Sequence, residues 1–261
     1  MISFTSIELN AWVVAFFFPL ARIMALLVSA PPFNNVALTA RVRLVLGLSI
    51  SIAITPALPA MPSIEPASGI GLWILAQQML IGFAMGFAMR LAFGAIDMAG
   101  NLIATQMGLG FATFYDPQSA AQTPVISELM GLLSLLVFMA INGHLMVIAT
   151  LTHSFTVIPI GATPPGSGTW LNLAHAGAII FSSGLLLSLP IIVALLITNV
   201  ALGVLSRAAP QLNLFAIGFP LTLALGFAML IPGLSYLAEP LQELFEQGLQ
   251  SMLGYFVVPT R

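Results

Sequence analysis

Residues 70 to about 110 form an almost continuously apolar stretch with only two charged side chains, Arg90 and Asp97. As one α-helix this stretch would be roughly 60 Å long, because each residue adds about 1.5 Å. That length is about twice the thickness of the hydrocarbon core of a bilayer. The helix must therefore break, leave the bilayer or be buried against other protein. Gly82 and Gly86 lie four residues apart, a spacing that suits close backbone contact between helices.

Charged residues are scarce in the rest of the chain as well. Arginine supplies all of the 6 basic residues, and 8 residues are Asp or Glu, so only 5% of the 261 residues are charged. A soluble domain usually has about 25% charged residues. Hydrophobic residues make up 59% of the sequence, and the mean hydropathy is +1.09. These values predict an integral membrane protein.

The apolar runs are separated by clusters of proline, glycine and charge, and they predict about six hydrophobic helical segments. The runs cover residues 11–30, 42–58, 70–110, 125–155, 176–205 and 214–231. The fourth run is also long for one span, and Pro190 predicts a kink in the fifth. Residues 234–261 form an amphipathic tail with an acidic face. The predicted fold is all-α and polytopic, with long, bent helices.

The sequence lacks the motifs of a zinc protease, a phosphate-binding loop or a serine hydrolase. It also has no cysteine, which excludes disulfides and cysteine nucleophiles. An intramembrane aspartyl protease needs two facing aspartates, but Asp97 and Asp116 are the only two, and Asp116 precedes a proline in a loop. We interpret His144, His153 and His175 as hydrogen-bonded packing residues. The sequence therefore predicts a protein that is not an enzyme, with no cofactor and no metal.

Four charged residues lie within or beside the apolar runs: Arg22, Arg90, Asp97 and Glu128. A charged side chain at the centre of a bilayer costs about 3 kcal/mol or more on insertion scales. Each must therefore face protein, water or an opposite charge. One interpretation is an ion path. We favour intramembrane or intersubunit polar contacts, because the chain lacks the two matching halves that are typical of a transporter.

Residues 106–117, with the sequence QMGLGFATFYDP, interrupt this apolar pattern. Gly108 and Gly110 give the backbone freedom, and Asp116 begins a turn signal. The bulky side chains of the segment are Phe111, Phe114 and Tyr115. Non-helical backbone at membrane depth is tolerated only where it is buried in protein or lines a water-filled cavity. The segment either closes a pore by hydrophobic occlusion or connects helices at the surface with its aromatic residues at the interface.

Four stretches of the sequence carry a resemblance to a known family: residues 30–52, 106–117, 141–155 and 203–221. They resemble the FliR family of flagellar export-gate subunits, which is grouped with the equivalent subunit of virulence type III secretion systems. The resemblance extends from about residue 11 to residue 231. The chain departs from the family at Gln77 and Gln78, where many members carry an acidic residue.

The resemblance implies a set of partners and a location. It implies that the chain joins FliP and FliQ in the core of the flagellar export gate, in the bacterial inner membrane at the basal body. It also implies that FlhB surrounds this core and that FlhA and the basal-body ring lie nearby. The gate passes unfolded flagellar proteins across the membrane. No catalytic residue, cofactor or nucleic acid is implied.

The resemblance also implies roles for parts of the chain. Residues 1–175 correspond to a FliP-like part that contains a plug loop, residues 106–124, and residues 176–233 to a FliQ-like helical hairpin, followed by the tail. The residues implied in the channel plug are Met107, Gly108, Gly110, Phe111, Phe114, Tyr115 and Asp116. Those implied near the cytoplasmic entrance are Arg207, Gln211 and Asn213, which we expect in a short loop, residues 207–213.

Three other functions stay open at this point. The first is the corresponding subunit of a virulence type III secretion system, and the second is a secondary transporter for a small solute. The third is an assembly scaffold without a gating part. A transporter predicts specific solute binding by a monomer or symmetric oligomer, whereas a gate subunit predicts copurification with two smaller hydrophobic partners.

Overall fold

The computed structural model describes residues 6–34, 38–59, 64–111, 124–161, 164–209 and 214–256. Helices hold 86% of these residues and none of them lies in a strand, which confirms the predicted all-α fold. The α-helices are α1 (Ser6–Ser29), α2 (Ala40–Ile54), α3 (Gly69–Gln106), α4 (Val125–Ala140), α5 (Gly143–Val157), α6 (Ser167–His175), α7 (Ala178–Ala208) and α8 (Leu214–Gly254). Two short 3-10 turns cover Thr55–Ala57 and Leu109–Phe111.

The predicted number of membrane-spanning segments agrees with the helix lengths. Among the described residues, five stretches are long and apolar enough to cross a membrane, and α4 with α5 makes a sixth if this broken pair is one span. The pair is interrupted at Ile141 and Asn142, where Asn142 has a φ of 58°, outside the helical region. The fourth apolar run was predicted to be too long for one span, and the structure divides it at this point.

The overlong third run is one unbroken helix of 38 residues, α3, and half of its residues are buried inside the protein. Of the three expected fates of this run, burial against protein is therefore the one observed. Gly108 ends the apolar stretch just beyond α3, so the helix stops close to the predicted boundary. Pro190 lies inside α7, which runs through it without a break.

The sixth apolar run and the tail, which the sequence predicts as separate segments, are continuous in the structure. Residues 214–231 and the amphipathic tail are joined in α8, a single helix of 41 residues that contains Pro220, Pro232 and Pro240. Each proline removes one backbone donor, but the hydrogen bonds of the residues on either side continue the helix. The Pro232–Gly233 pair, which reads as a helix end in the sequence, therefore does not end it.

The chain divides into two compact units. Unit 1 comprises the described parts of residues 1–91, 142–176 and 246–261. Its core is built from large apolar side chains, including Phe18, Ile23, Leu26, Met85, Met89 and Phe155. Helix α3 approaches α1 closely in this unit, because a methyl group added at Gly82 or Gly86 would overlap the Arg22 carbonyl or the Ser29 hydroxyl. The contact predicted from the glycine spacing is thus observed within one chain.

Unit 2 comprises the described parts of residues 92–141 and 177–245. Three aromatic rings form its core, with centroids 5.7 Å apart for Phe93 and Phe138, 5.0 Å for Phe93 and Phe245, and 5.1 Å for Phe138 and Phe245. Edge-on and tilted arrangements at these distances are favourable beyond the burial of the rings. They fix α4 and the later part of α8 against α3.

Candidate functional site

Arg22 is the most deeply buried charged residue described in unit 1, with no surface exposed. It lies in α1, and its Nε and Nη2 groups both donate hydrogen bonds to Oε1 of Gln78 in α3, at 2.8 and 2.5 Å. Its ring partner is Phe155 in α5, whose centroid lies 4.2 Å from the guanidinium carbon, a distance suited to cation–π attraction.

The other side of the Arg22 guanidinium caps the end of α5. Nη1 donates to the backbone oxygen and the hydroxyl of Ser154, both at 3.0 Å, and Nη2 donates to the backbone oxygen of Ile158 at 2.9 Å. The Ser154 backbone oxygen also accepts a hydrogen bond from the Ile158 amide at 2.9 Å, and this end of the helix dipole is negative. A buried cation is stabilised there without an acidic partner.

We call this arrangement of Arg22, Gln78, Ser154, Phe155 and Ile158 the Arg22 centre. Within the described residues Arg22 hydrogen bonds only to neutral oxygens. Gln77 and Gln78 stand where the family resemblance leads us to expect an acidic residue, and the amide oxygen of Gln78 serves as acceptor here. The centre joins α1, α3 and α5 and is closed to solvent, so its chemistry is that of a structural junction.

The candidate plug segment begins where α3 ends in unit 2. The Met107 amide donates to the Ile103 oxygen at 2.9 Å, and the Gly108 amide donates to the Thr105 oxygen at 3.1 Å. Gly108 has a φ of 84°, in the left-handed region that glycine adopts without a steric penalty. A glycine in this conformation is a common end of a helix. Gly108 thus turns the chain out of α3.

Met107 fixes this end of α3 against α8. Its side chain is fully buried, and a methyl group added at Gly226 would lie 2.5 to 2.7 Å from its side-chain atoms. The Thr222 hydroxyl lies 3.4 Å from the Met107 carbonyl oxygen. Gly226 therefore leaves the space that the methionine fills, and the segment that follows starts from an anchored point.

The structure describes only the beginning of the predicted plug. The 3-10 turn Leu109–Phe111 follows Gly108, and a methyl group added at Gly110 would meet no atom within 4 Å. The side chain of Phe111 and the whole of Phe114, Tyr115 and Asp116 lie outside the described residues.

The remaining predicted polar residues are placed as follows. Arg90 and Asp97 are exposed on α3, and Glu128 is exposed on the first turn of α4. Arg207 was predicted in a loop, but it lies in the last turn of α7, where a basic residue interacts favourably with the helix dipole. Gln211 and Asn213 lie outside the described residues. No group of three potential metal ligands occurs in the part of the chain that the structure describes.

Several residues that complete these sites were not identified from the sequence. Gln78 is 56 residues from Arg22, Ser154 is 132 residues away, and Ile158 is 136 residues away. Gly226 and Thr222 are also far from Met107 in the chain. A sequence can show that an arginine in an apolar helix needs hydrogen-bond acceptors. It does not show which neutral residues supply them when they are 56 or more positions away in the chain.

The chain is similar to known proteins over nearly its whole length. The sequence profile of "Bacterial export proteins, family 1" matches residues 13–248. Flagellar biosynthetic protein FliR of Escherichia coli (strain K12) is 43% identical over 247 residues, which cover 95% of this chain and 94% of that protein. FliR of Pectobacterium carotovorum subsp. carotovorum is 44% identical over 250 residues, 94% and 95% of the two chains. FliR of Bacillus subtilis (strain 168) is 27% identical over 241 residues, 91% and 93% of the two chains.

Proposed function

The chain belongs to the family of bacterial export proteins, family 1, with the flagellar biosynthetic proteins FliR, and from this membership we propose that it forms part of the gate for unfolded flagellar proteins. As a family member it is a membrane subunit of the flagellar export apparatus. Our proposal adds three points to this: its partners, the segment that closes the gate, and its location in the inner membrane at the basal body. The family is one of structural proteins, which agrees with the lack of enzyme motifs in the sequence.

The proposed partners are FliP and FliQ in the core of the gate, FlhB around it, and FlhA with the basal-body ring nearby. The exposed apolar surface supports assembly with other membrane subunits or lipid. Only 5 of the 31 residues of α7 are buried inside the chain, and large side chains such as Phe181, Leu186 and Ile197 are exposed on it. Apolar surface of this extent in a membrane protein must be covered by lipid or by other helices.

The plug role is proposed for residues 108–116, with Phe111, Phe114 and Tyr115 in the constriction. One observation carries it: the chain turns out of α3 at Gly108, and Met107 anchors this end of the helix against Gly226 of α8. An aromatic segment that starts from a fixed point can return to the same closed position after each opening. The glycines at its start allow the backbone to withdraw.

The division of the chain is part of the same proposal. Residues 1–175 form the FliP-like part with its plug loop, residues 176–233 the FliQ-like hairpin, and residues 234–261 the tail. The hairpin is supported by two long apolar helices, α7 and α8, which are separated in the sequence by only the five residues between Ala208 and Leu214. Arg207, with Gln211 and Asn213, is proposed at the cytoplasmic entrance.

The test is purification of the full-length chain from its own membranes in mild detergent, with the copurifying subunits identified. We expect two smaller hydrophobic partners, and a strain without the chain should lose both motility and flagellar export. If the strain keeps motility but loses virulence-type secretion, the chain is the paralogous subunit. A chain that purifies alone and binds a small solute contradicts the proposal.

A further inference from the structure

Three polar residues follow one another at four-residue spacing near the end of α3: Asp97, Asn101 and Thr105. This spacing places them on one face of the helix. Within residues 92–106 of α3 only Asp97 and Thr105 are exposed, and Asn101 is half-buried. The exposed face of α3 in unit 2 is therefore polar, although most residues of this helix are apolar. We call these three residues the α3 stripe.

Two helices pack closely beside the stripe. On one side Gly100 allows α4 to approach, because an added methyl group would overlap the Ser127 backbone, and the Ser127 hydroxyl donates to the Asp97 backbone oxygen at 3.1 Å. On the other side Gly184 of α7 lies against α3, because a methyl group added there would lie 2.8 Å from the Ala95 oxygen. The stripe is the part of α3 that these contacts leave uncovered.

The outward faces of the flanking helices differ from the stripe. On α4, Leu132 and Leu136 are exposed, and on α7, Leu185 and Leu186 are exposed. Such side chains suit lipid or an apolar partner surface. The stripe is consequently a narrow polar band between two apolar walls.

The stripe satisfies most of its own hydrogen bonds. The Asn101 Nδ2 group donates to the Asp97 backbone oxygen, and the Thr105 hydroxyl donates to the Asn101 backbone oxygen, both at 2.8 Å. These donors are turned back along their own helix, so they are not directed at a partner. The Asp97 carboxylate makes no hydrogen bond or ion pair with the residues that the structure describes. A carboxylate facing hydrocarbon is costly, which leaves water as the environment that fits the whole stripe.

We propose that the α3 stripe lines the water-filled passage of the export gate, with Asp97 giving this wall a negative charge. The inference rests on the proposed function, because the passage belongs to the assembled gate. The stripe leads toward Gly108, about one turn beyond Thr105, where the proposed plug begins. A wall whose donors are bonded to its own backbone offers few strong contacts to a passing unfolded chain, as varied cargo requires.

The absence of cysteine from the natural sequence allows a direct test by thiol labelling. Asn101→Cys and Thr105→Cys place thiols in the stripe, and Leu132→Cys and Leu136→Cys are matched controls on the exposed apolar face of α4. Each full-length variant is assembled in a strain lacking the chain. Membrane vesicles of both orientations are then treated with impermeant methanethiosulfonates, one cationic and one anionic.

We expect the stripe thiols to react at least about tenfold faster than the control thiols, since only an ionised thiol reacts and ionisation needs water. At Asn101→Cys, about one helical turn from Asp97, the cationic reagent should be favoured over the anionic one by several-fold, because Asp97 attracts it. Asp97→Asn in the Asn101→Cys background should remove this preference. The comparison of stripe with control thiols does not depend on that second substitution.

Two results would overturn the inference. The first is stripe labelling no faster than that of Leu132→Cys and Leu136→Cys in assembled gates. The second is fast labelling of the stripe in the isolated chain in detergent but not in the gate, which means that a partner subunit covers it. In both cases export by the same variants shows that the proposed function stands. Its failure has a different signature, namely unchanged export in the strain that lacks the chain.

Discussion

Two hydrogen bonds from Arg22 to the single oxygen Oε1 of Gln78 join α1 to α3 in the interior of unit 1. The cation is buried, yet its charge is balanced by dipoles: an amide oxygen, a hydroxyl and the backbone oxygens of Ser154 and Ile158 at the end of α5. Hydrogen bonds to a charged group contribute about 1.5–3 kcal/mol each. The junction of three helices therefore depends on the geometry of neutral acceptors.

Replacement of Gln78 tests that dependence. Gln78→Leu keeps a similar volume but removes the acceptor, so we expect the free energy of unfolding to fall by about 2–4 kcal/mol. Gln78→Glu keeps the acceptor and adds a negative charge beside the guanidinium, so its stability should equal or exceed that of the natural chain. Thermal unfolding in detergent measures the order. Equal stability of all three proteins would show that these two bonds contribute nothing.

Removal of Arg22 itself should be more damaging. Arg22→Ala removes the guanidinium donors from the buried oxygens of Gln78, Ser154 and Ile158, and we expect the free energy of unfolding to fall by about 3 kcal/mol or more. Arg90 provides the matched control because it is an exposed arginine in an apolar helix. Arg90→Ala should change the unfolding temperature of the isolated chain little and should instead lower the yield of the assembled complex. If both substitutions destabilise the chain equally, burial is not what distinguishes the two arginines.

The sequence predicted helices well where an apolar run ended at a strong signal. The run at 70–110 became α3 because Gly108 stops the helix, and the run at 125–155 divides between α4 and α5 as its length required. The join of the last two segments in α8 was not predicted, since Pro232 and Gly233 resemble a helix end. In an apolar setting the cost of unpaired backbone outside a helix favours continuation through a proline.

The site was predicted less completely, for a physical reason. The sequence predicts that a buried arginine needs hydrogen-bond acceptors. It does not identify Gln78, Ser154 and Ile158 as those acceptors, because only the fold brings them together. The same holds for Gly226, whose importance comes only from the Met107 side chain beside it. Asp97 and Thr105 were separate polar residues in the sequence, and only the packing of α4 and α7 shows that they share the uncovered face of α3.

Two glycines of α3 should respond in opposite ways to the addition of a methyl group. Gly100→Ala would bring a methyl group into the Ser127 backbone and should destabilise unit 2 by about 1–3 kcal/mol. At Gly94 the methyl group would lie 3.4 Å from the Ile180 side chain, a distance that a small side-chain shift accommodates. Gly94→Ala should therefore be neutral or stabilising by up to about 1 kcal/mol, because alanine favours the helix. Detergent unfolding of both variants gives the comparison, and a harmless Gly100→Ala would contradict the close approach of α4.

Gly108 and Gly110 form a second matched pair at the start of the proposed plug. Gly108→Ala forces a side chain into the left-handed region, at a cost of about 1–2 kcal/mol, and should misdirect the segment that follows. Gly110 does not have a positive φ, and a methyl group there would meet no neighbour within 4 Å. We expect Gly108→Ala to raise ion leakage through assembled gates and Gly110→Ala to leave it unchanged. Equal leakage from both variants would mean that the backbone conformation at Gly108 does not set the direction of the segment that follows.

Deletion of residues 110–116 tests whether the aromatic segment seals the passage. The deletion begins after Met107 and Gly108, so the anchor against Gly226 is kept and the complex should still assemble. Loss of the hydrophobic occlusion should then let ions cross the closed gate. A control of natural length, with Phe111, Phe114 and Tyr115 replaced by serine, separates the aromatic side chains from the length of the segment. Membrane conductance is measured beside the amount of assembled complex. We expect both variants to leak. A correctly assembled deletion variant with unchanged conductance rejects the plug role. A serine variant with unchanged conductance shows that the backbone of the segment, and not its aromatic side chains, forms the seal.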